Sequence, residues 1–255
     1  SEMCIRDRYK PDSPYLKYYE YIKEHGYSRH LYEFKDEYTD MPVNVQKDEK
    51  KGLYYVQQEK KRLYFRKSTP PKKIQKYYKA LSMEQDKRSP HHYFDSVKDV
   101  TGKVFVDVGC AEGYSSLEIV EEAKHIYLFE QDEQWLEAIR ATFEPWQDKV
   151  TIVQKYVSDH NSSREQTLDD FFNNQTDEHL FLKMDIEGAE RHALAGCKNL
   201  FQNCQKLDFA ICTYHLRDDE EVISAFLNKH NCTYINQKGF FRHRIRSVVM
   251  RGSKK

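Results

Sequence analysis

From residue 103 onward, runs of near-continuous apolar character alternate with segments whose apolar positions recur every three or four residues. The runs are KVFVDV (103–108), HIYLFE (125–130), KVTIVQKYV (149–157), HLFLKMD (179–185) and KLDFAICTY (206–214). Strands covered by helices on both faces read this way, whereas a half-solvated strand alternates apolar with polar positions. Between the runs, YSSLEIVEEA, EQWLEAIRATF, TLDDFF and GAERHALAGCKNLF have helical spacing. After EEVISAFLNKH, the segments CTYINQ and RIRSVVMRG bring the count to about seven strands. The pattern predicts an α/β architecture, a Rossmann-like doubly wound sheet spanning residues 101–255.

Residues 1–100 have another texture, crowded with tyrosine and lysine and holding only Gly26 and Gly52 among glycines. YLKYYEYIKEHG reads as a helix ended by Gly26, and GLYYVQQEKKRLYFRKS as two strands around a polar turn. Residues 72–86 have helical spacing, and SPHHY (89–93) forms a proline-marked loop. This stretch is expected to be a small α+β accessory region, serving as a lid or as a substrate or oligomer contact; a homodimer is one arrangement it leaves open.

Composition narrows the function classes. The 255 residues carry 41 basic and 41 acidic side chains, so net charge argues neither for nucleic acid nor for a membrane surface as partner. The first hundred residues hold 22 basic against 16 acidic groups, leaving the rest of the chain acidic. Cys4, Cys110, Cys197, Cys204, Cys212 and Cys232 show no C-x-x-C pair or metal-ligand spacing, and are expected to be reduced thiols of a cytoplasmic protein. No apolar run approaches the roughly 20 residues needed to cross a bilayer, and no membrane span is expected.

The candidate chemistry lies at the ends of the apolar runs, the edge where open α/β sheets bind ligands. Asp107, Gly109 and Gly113 in DVGCAEG form a glycine-bent loop opening a helix, suited to a nucleotide-like ligand or to a plain structural turn. Glu130 ends the second run, where a carboxylate can accept both hydroxyl hydrogens of a ribose; it could equally be an acid at a helix N-terminus. Ser158 and Asp159 follow the third run as acceptors for an adenine amino group, or as a cap. Asp185, Glu187 and Glu190 crowd the end of the fourth run, where like charges are costly unless they bind something; for Glu190 a place at a helix N-terminus explains the acid as well. Tyr214 and His215 end the fifth, and a histidine there could move a proton or ligate a metal. His91 and His92 are weaker candidates of the same kind. The basic stretch KKRLYFRKSTPPKKIQKYYK, interleaved with aromatics, could meet phosphates and bases, but a solvated face explains it equally.

The combination VFVDVGCAEGYSSLEIV, LFEQD, LFLKMDIEGAERHALAG and TYH resembles the FkbM family of methyltransferases over about residues 85–220, most specifically in the K-x-D-x-E-G-x-E segment. The resemblance implies a seven-stranded class I methyltransferase sheet, S-adenosylmethionine as donor, and O-methylation of a sugar, glycan or natural-product hydroxyl. It implies that Asp107, Gly109, Glu112 and Gly113 line the methionine end, Glu130 the ribose and Asp159 the adenine, with Ser158 beside it. Asp185 and Glu187 would stand between cofactor and acceptor. The family usually has proline after the second-strand acid; here Gln131 takes that place in the cofactor loop.

For the chemistry, Asp185 or His215 accepts the acceptor's proton, or Asp185, Glu187 and His215 hold a divalent metal that acidifies it. The rival readings are a nucleic-acid methyltransferase using the basic front segment and a non-catalytic S-adenosylmethionine-binding module.

Overall fold

The computed structural model describes residues 10–28, 31–173, 177–241 and 244–254; Cys4 lies outside them. The apolar runs form strands β4 (Val104–Val108), β5 (His125–Phe129), β6 (Val150–Val153), β9 (Leu180–Met184) and β10 (Leu207–Cys212). With β11 (Cys232–Phe241) and β12 (Arg244–Lys254) they build one seven-stranded sheet in the order β11-β12-β10-β9-β4-β5-β6. The strands from β10 to β6 pair in parallel, while β12 runs antiparallel to both β10 and β11.

Strand period sorts the side chains onto two faces. Phe105, Phe181 and Ala210 join one apolar cluster, and Val104, Val106, Leu180, Leu182, Phe209 and Ile211 join the other. Helices Tyr114–Ile119 and Glu133–Phe143 cover the first face; helices Glu190–Ala195, Lys198–Asn203 and Asp219–Lys229 cover the second.

The N-terminal residues form helix Leu16–His25, ended by Gly26 at φ 77°, and a small antiparallel sheet. That sheet has strands β1 (Val45–Asp48), β2 (Leu53–Gln58) and β3 (Lys61–Tyr64), of which only the last two are legible as a hairpin in the sequence. A fourteen-residue helix, Pro71–Glu84, follows with proline at its first turn. This region packs onto the large sheet, because Leu53, Leu63, Phe65 and Ile74 share a cluster with Phe105 and Phe181. Detaching it would expose these four side chains, each worth roughly 1.5–3 kcal/mol when buried. The Tyr64 N–H also donates to Thr142 Oγ1 of helix Glu133–Phe143 at 3.0 Å.

Two expectations need correction. The run 149–157 is not one strand: it breaks after Val153, and Tyr156–Val157 (β7) pairs instead with Glu165–Gln166 (β8). The helical stretch 188–201 is cut at Gly196, where a Cβ would lie 1.9 Å from the Ser158 carbonyl oxygen. The close approach of that loop therefore ends the helix. Among the described residues, no helix is long and apolar enough to cross a membrane.

Candidate functional site

Register brings the candidate residues together. Val108 is level with Phe129 and Met184, and Met184 with Ile211, so four parallel strands end on one line. The loops beginning at Gly109, Glu130, Asp185 and Thr213 consequently lie side by side. They open into a cavity of about 1140 Å³, closed on the other side by Tyr77, Leu81 and Gln85 of the N-terminal region. That exceeds the roughly 300–1,000 Å³ of a site for one small molecule, leaving space for a donor and an acceptor.

At the floor, Asp107 is a buried ion pair rather than a free carboxylate. Its Oδ1 is 2.8 Å from Lys183 Nζ, and Oδ2 accepts a hydrogen bond from Ser116 Oγ at 2.6 Å. Burial alone would depress the Lys183 ammonium, but Asp107 and Asp185 outweigh it and hold its pKa above the ordinary value. Lys183 also donates to the Gly109 carbonyl at 2.7 Å, so the pair anchors the start of the glycine loop.

The two loop glycines, Gly109 at φ 78° and Gly113 at φ 81°, answer to neighbouring chain. A Cβ on Gly109 would sit 2.2 Å from the Asp185 carbonyl oxygen, and one on Gly113 would sit 2.7 Å from Phe143. Left-handed backbone and these contacts together require glycine. The loop is thereby pressed against the end of β9, and its outer side faces the cavity.

Glu130 is fixed by backbone amides: Oε2 accepts from the Ala111 N–H at 3.1 Å and Oε1 from the Asp132 N–H at 2.8 Å. Burial raises its pKa. Asp132 caps helix Glu133–Phe143 through the Gln134 N–H and pairs with Arg66 at 2.9 Å. Gln131 lines the cavity, and its Oε1 is buried with no hydrogen-bond partner among the described residues. Glu112 is buried on the cavity wall, where burial pushes its carboxyl up to about 7 and the Tyr77 hydroxyl donates to Oε2 at 2.8 Å. At the far end Ser158 is buried, while Asp159 is exposed and held by His160 at 2.8 Å and His192 at 3.3 Å. His160 above all, then His192, lowers the Asp159 pKa to about 2.

On the acceptor side, Asp185 lines the cavity and accepts from the Tyr93 hydroxyl at Oδ2, 2.7 Å away. Its Oδ1 lies 3.4 Å from His215 Nε2, and Glu187 Oε2 lies 3.6 Å from the same nitrogen. His215 is set behind Asp185 and Glu187, with its side chain 8% exposed and Nδ1 2.9 Å from Oε1 of the fully buried Glu190. Burial would depress His215, but Glu190, then Asp185 and Glu187, raise its pKa. Glu190 Oε1 also accepts the Ile186 N–H at 2.9 Å, so a residue open to a purely structural reading is the inner partner of His215.

His91 and His92 are spent elsewhere: His91 Nδ1 meets the Tyr32 hydroxyl at 2.6 Å, and His92 Nε2 meets Asp95 at 2.8 Å. Tyr77 and Tyr93 are the cavity residues the sequence pattern does not announce. Tyr77 lies in the basic stretch and Tyr93 ends the SPHHY loop, far along the chain from their partners Glu112 and Asp185. Within the basic stretch, Arg66 stacks 4.0 Å from the Trp135 ring centre, Arg62 lies 4.7 Å from that of Tyr55, and Lys61 donates to the Glu118 carbonyl.

Parallel strands β6-β5-β4-β9-β10 flanked by β12 and β11, with β12 reversed, define a class I methyltransferase fold. Residues 146–235 match the family model of the methyltransferase FkbM domain. Among solved structures, the chain is similar to methyltransferase FkbM from Methylobacillus flagellatus KT, with 18% identity and a TM-score of 0.48, over 59% of this chain and 43% of that one. The chain thus spans less than half the length of that protein. It is also similar to Trm5 of Methanocaldococcus jannaschii in complex with adenosine, with 14% identity, a TM-score of 0.48, and coverage of 79% and 54%. The N-methyltransferase NodS from Bradyrhizobium japonicum WM9 aligns at 12% identity and a TM-score of 0.43, over 62% of this chain and 89% of that one. No curated protein matches the sequence.

Proposed function

We propose that the cavity binds S-adenosylmethionine and a hydroxyl-bearing acceptor, a sugar, glycan or natural product, and that the reaction is O-methylation. The observation that carries the reading is Asp185, a cavity-lining carboxylate held by Tyr93 on one oxygen and faced by His215 on the other. The donor side fits a cationic nucleoside. Glu130 has the strand-tip position that serves a ribose in nucleotide-binding sheets, and Gln131 Oε1 is a buried acceptor without a hydrogen-bond partner among the described residues. Glu112, Glu130, Asp185 and Glu187 line the cavity, whereas, of the lining cations, Arg66 and Lys183 are paired with Asp132 and Asp107, and Lys155 donates to the Ser162 carbonyl and Gln166 Oε1.

When bound, S-adenosylmethionine would supply an electrophilic methyl group. The chain's own task is then to hold the acceptor oxygen in line and take its proton. Asp185 would serve both: Tyr93 holds Oδ2, and Oδ1 faces His215 and is the oxygen nearer to any cation bound there. His215 and Glu190 stand behind it as positioning residues, since His215 does not line the cavity. The same acidic wall disfavours phosphate-rich acceptors and therefore the nucleic-acid reading.

Incubating the protein with methyl-labelled S-adenosylmethionine and panels of hydroxylated small molecules, oligosaccharides and RNA tests the proposal. Label is expected on a hydroxyl acceptor, with Asp185→Asn lowering it by roughly 10²–10⁴-fold. Label transferred to RNA alone would contradict the reading.

A further inference from the structure

The group around His215 is under-bonded for its burial. A buried imidazole ordinarily aligns its ring nitrogens with hydrogen-bond partners, yet neither nitrogen of His215 has an aligned one among the described residues, although the side chain is only 8% exposed. Around Nε2 lie Asp185 Oδ1 at 3.4 Å and Glu187 Oε2 at 3.6 Å. Those separations are long for hydrogen bonds. They suit two ligands of one cation, because ligand atoms about 2.1 Å from a metal and 90–120° apart stand roughly 3.0–3.6 Å from each other.

From this geometry we infer that Asp185 Oδ1 and His215 Nε2 form the core of a site for a first-row divalent cation, completed when the exposed Glu187 carboxylate turns onto the ion, with Glu190 orienting the histidine from behind. The donor set, one imidazole and two carboxylates, favours Mn²⁺-like ions over Mg²⁺, which takes oxygen ligands almost exclusively. Asp185, Glu190 and His215 do offer ligand atoms within 4.8 Å of one another. Glu190 nevertheless stays off the ion, since it meets Nδ1, the nitrogen on the far side of the ring, and its Oε1 is occupied by the Ile186 N–H. Carboxylates in that position hold a ligating ring in place. Glu187, with its side chain 90% exposed, is free to swing onto the ion.

A cation here would lower the pKa of a hydroxyl brought against Asp185. That use rests on the function proposed above, but binding of the ion does not, so the two are tested apart. Metal-stripped protein without cofactor or acceptor is titrated with Mn²⁺, and free Mn²⁺ is read by electron paramagnetic resonance. One saturable site is expected. Asp185→Asn and His215→Asn should abolish it, Glu187→Gln should weaken it at least tenfold, and Glu190→Gln should weaken it about 10- to 100-fold. Tyr93→Phe should leave it within about twofold, since Tyr93 contacts only Oδ2. Glu187 is exposed, so its variant stays informative if a core variant fails to fold. No saturable site, or equal affinity in wild type and Glu187→Gln, overturns the inference. Binding of S-adenosylmethionine is measured separately by calorimetry. Cofactor binding without Mn²⁺ binding removes the metal site alone, and Mn²⁺ binding without cofactor binding removes the proposed function alone.

Discussion

Two neighbouring strand ends bury charge in opposite ways. At the end of β4, the charge of Asp107 is cancelled by the Lys183 ammonium at 2.8 Å, with Ser116 donating at 2.6 Å. At the ends of β9 and β10, Asp185, Glu187, Glu190 and His215 carry three carboxylates against one imidazole, with Glu190 Oε2 and both ring nitrogens lacking aligned partners. Low-dielectric surroundings make such residues costly. A completed pair holds the fold, and an incomplete one marks where chemistry can be added.

Breaking the completed pair should have the largest effect. Replacing Lys183 with Met leaves Asp107 buried and unpaired, with an expected loss of about 3–5 kcal/mol in urea unfolding. A loss below about 1 kcal/mol would mean that the pair is not the anchor it looks like. Asp185→Asn should do the reverse, lowering methyl transfer by roughly 10²–10⁴-fold while moving the unfolding midpoint little.

Glu112 sharpens the comparison through pH. Its folded pKa of about 7 is raised above the ordinary 4.5, chiefly by burial. The folded state therefore keeps a proton that the unfolded state releases between those values. The sign is negative: stability present below pH 4.5 is lost as pH rises through 7, by about 3 kcal/mol for this group. The difference between wild type and Glu112→Gln, followed by denaturation from pH 4 to 8, should show that slope; a constant difference would contradict it. Smallest is Tyr93→Phe, which removes one hydrogen bond to Asp185 and should lower turnover by about tenfold, with KM for the donor unchanged. An equal loss in donor affinity would place Tyr93 on the cofactor instead.

What could be read from sequence follows the range of the interactions. Strands covered on both faces write themselves as apolar runs, and the acids and histidine at their ends, Glu130, Asp185 and His215, stand out for that reason. β1 is four residues with two exposed, too short and too polar to signal itself. The break after Val153 goes with the pairing of Tyr156–Val157 to Glu165–Gln166, and the one at Gly196 with its close approach to Ser158, contacts that no local pattern encodes. Tyr77 and Tyr93 enter the cavity because the N-terminal region packs on the sheet and brings them to partners 35 and 92 residues away. Glu190 looks like an acid at a helix N-terminus, and only the fold turns it toward His215.

The central claim is that the glycine loop and Glu130 form a donor site beside the under-bonded edge. Isothermal titration of folded protein with S-adenosylmethionine tests it most directly. The account predicts binding of one equivalent, lost or weakened at least tenfold in Glu130→Ala, where hydrogen bonds to a charged group disappear. Absence of heat and of any thermal shift in folded wild-type protein, or unchanged affinity in Glu130→Ala, would contradict it.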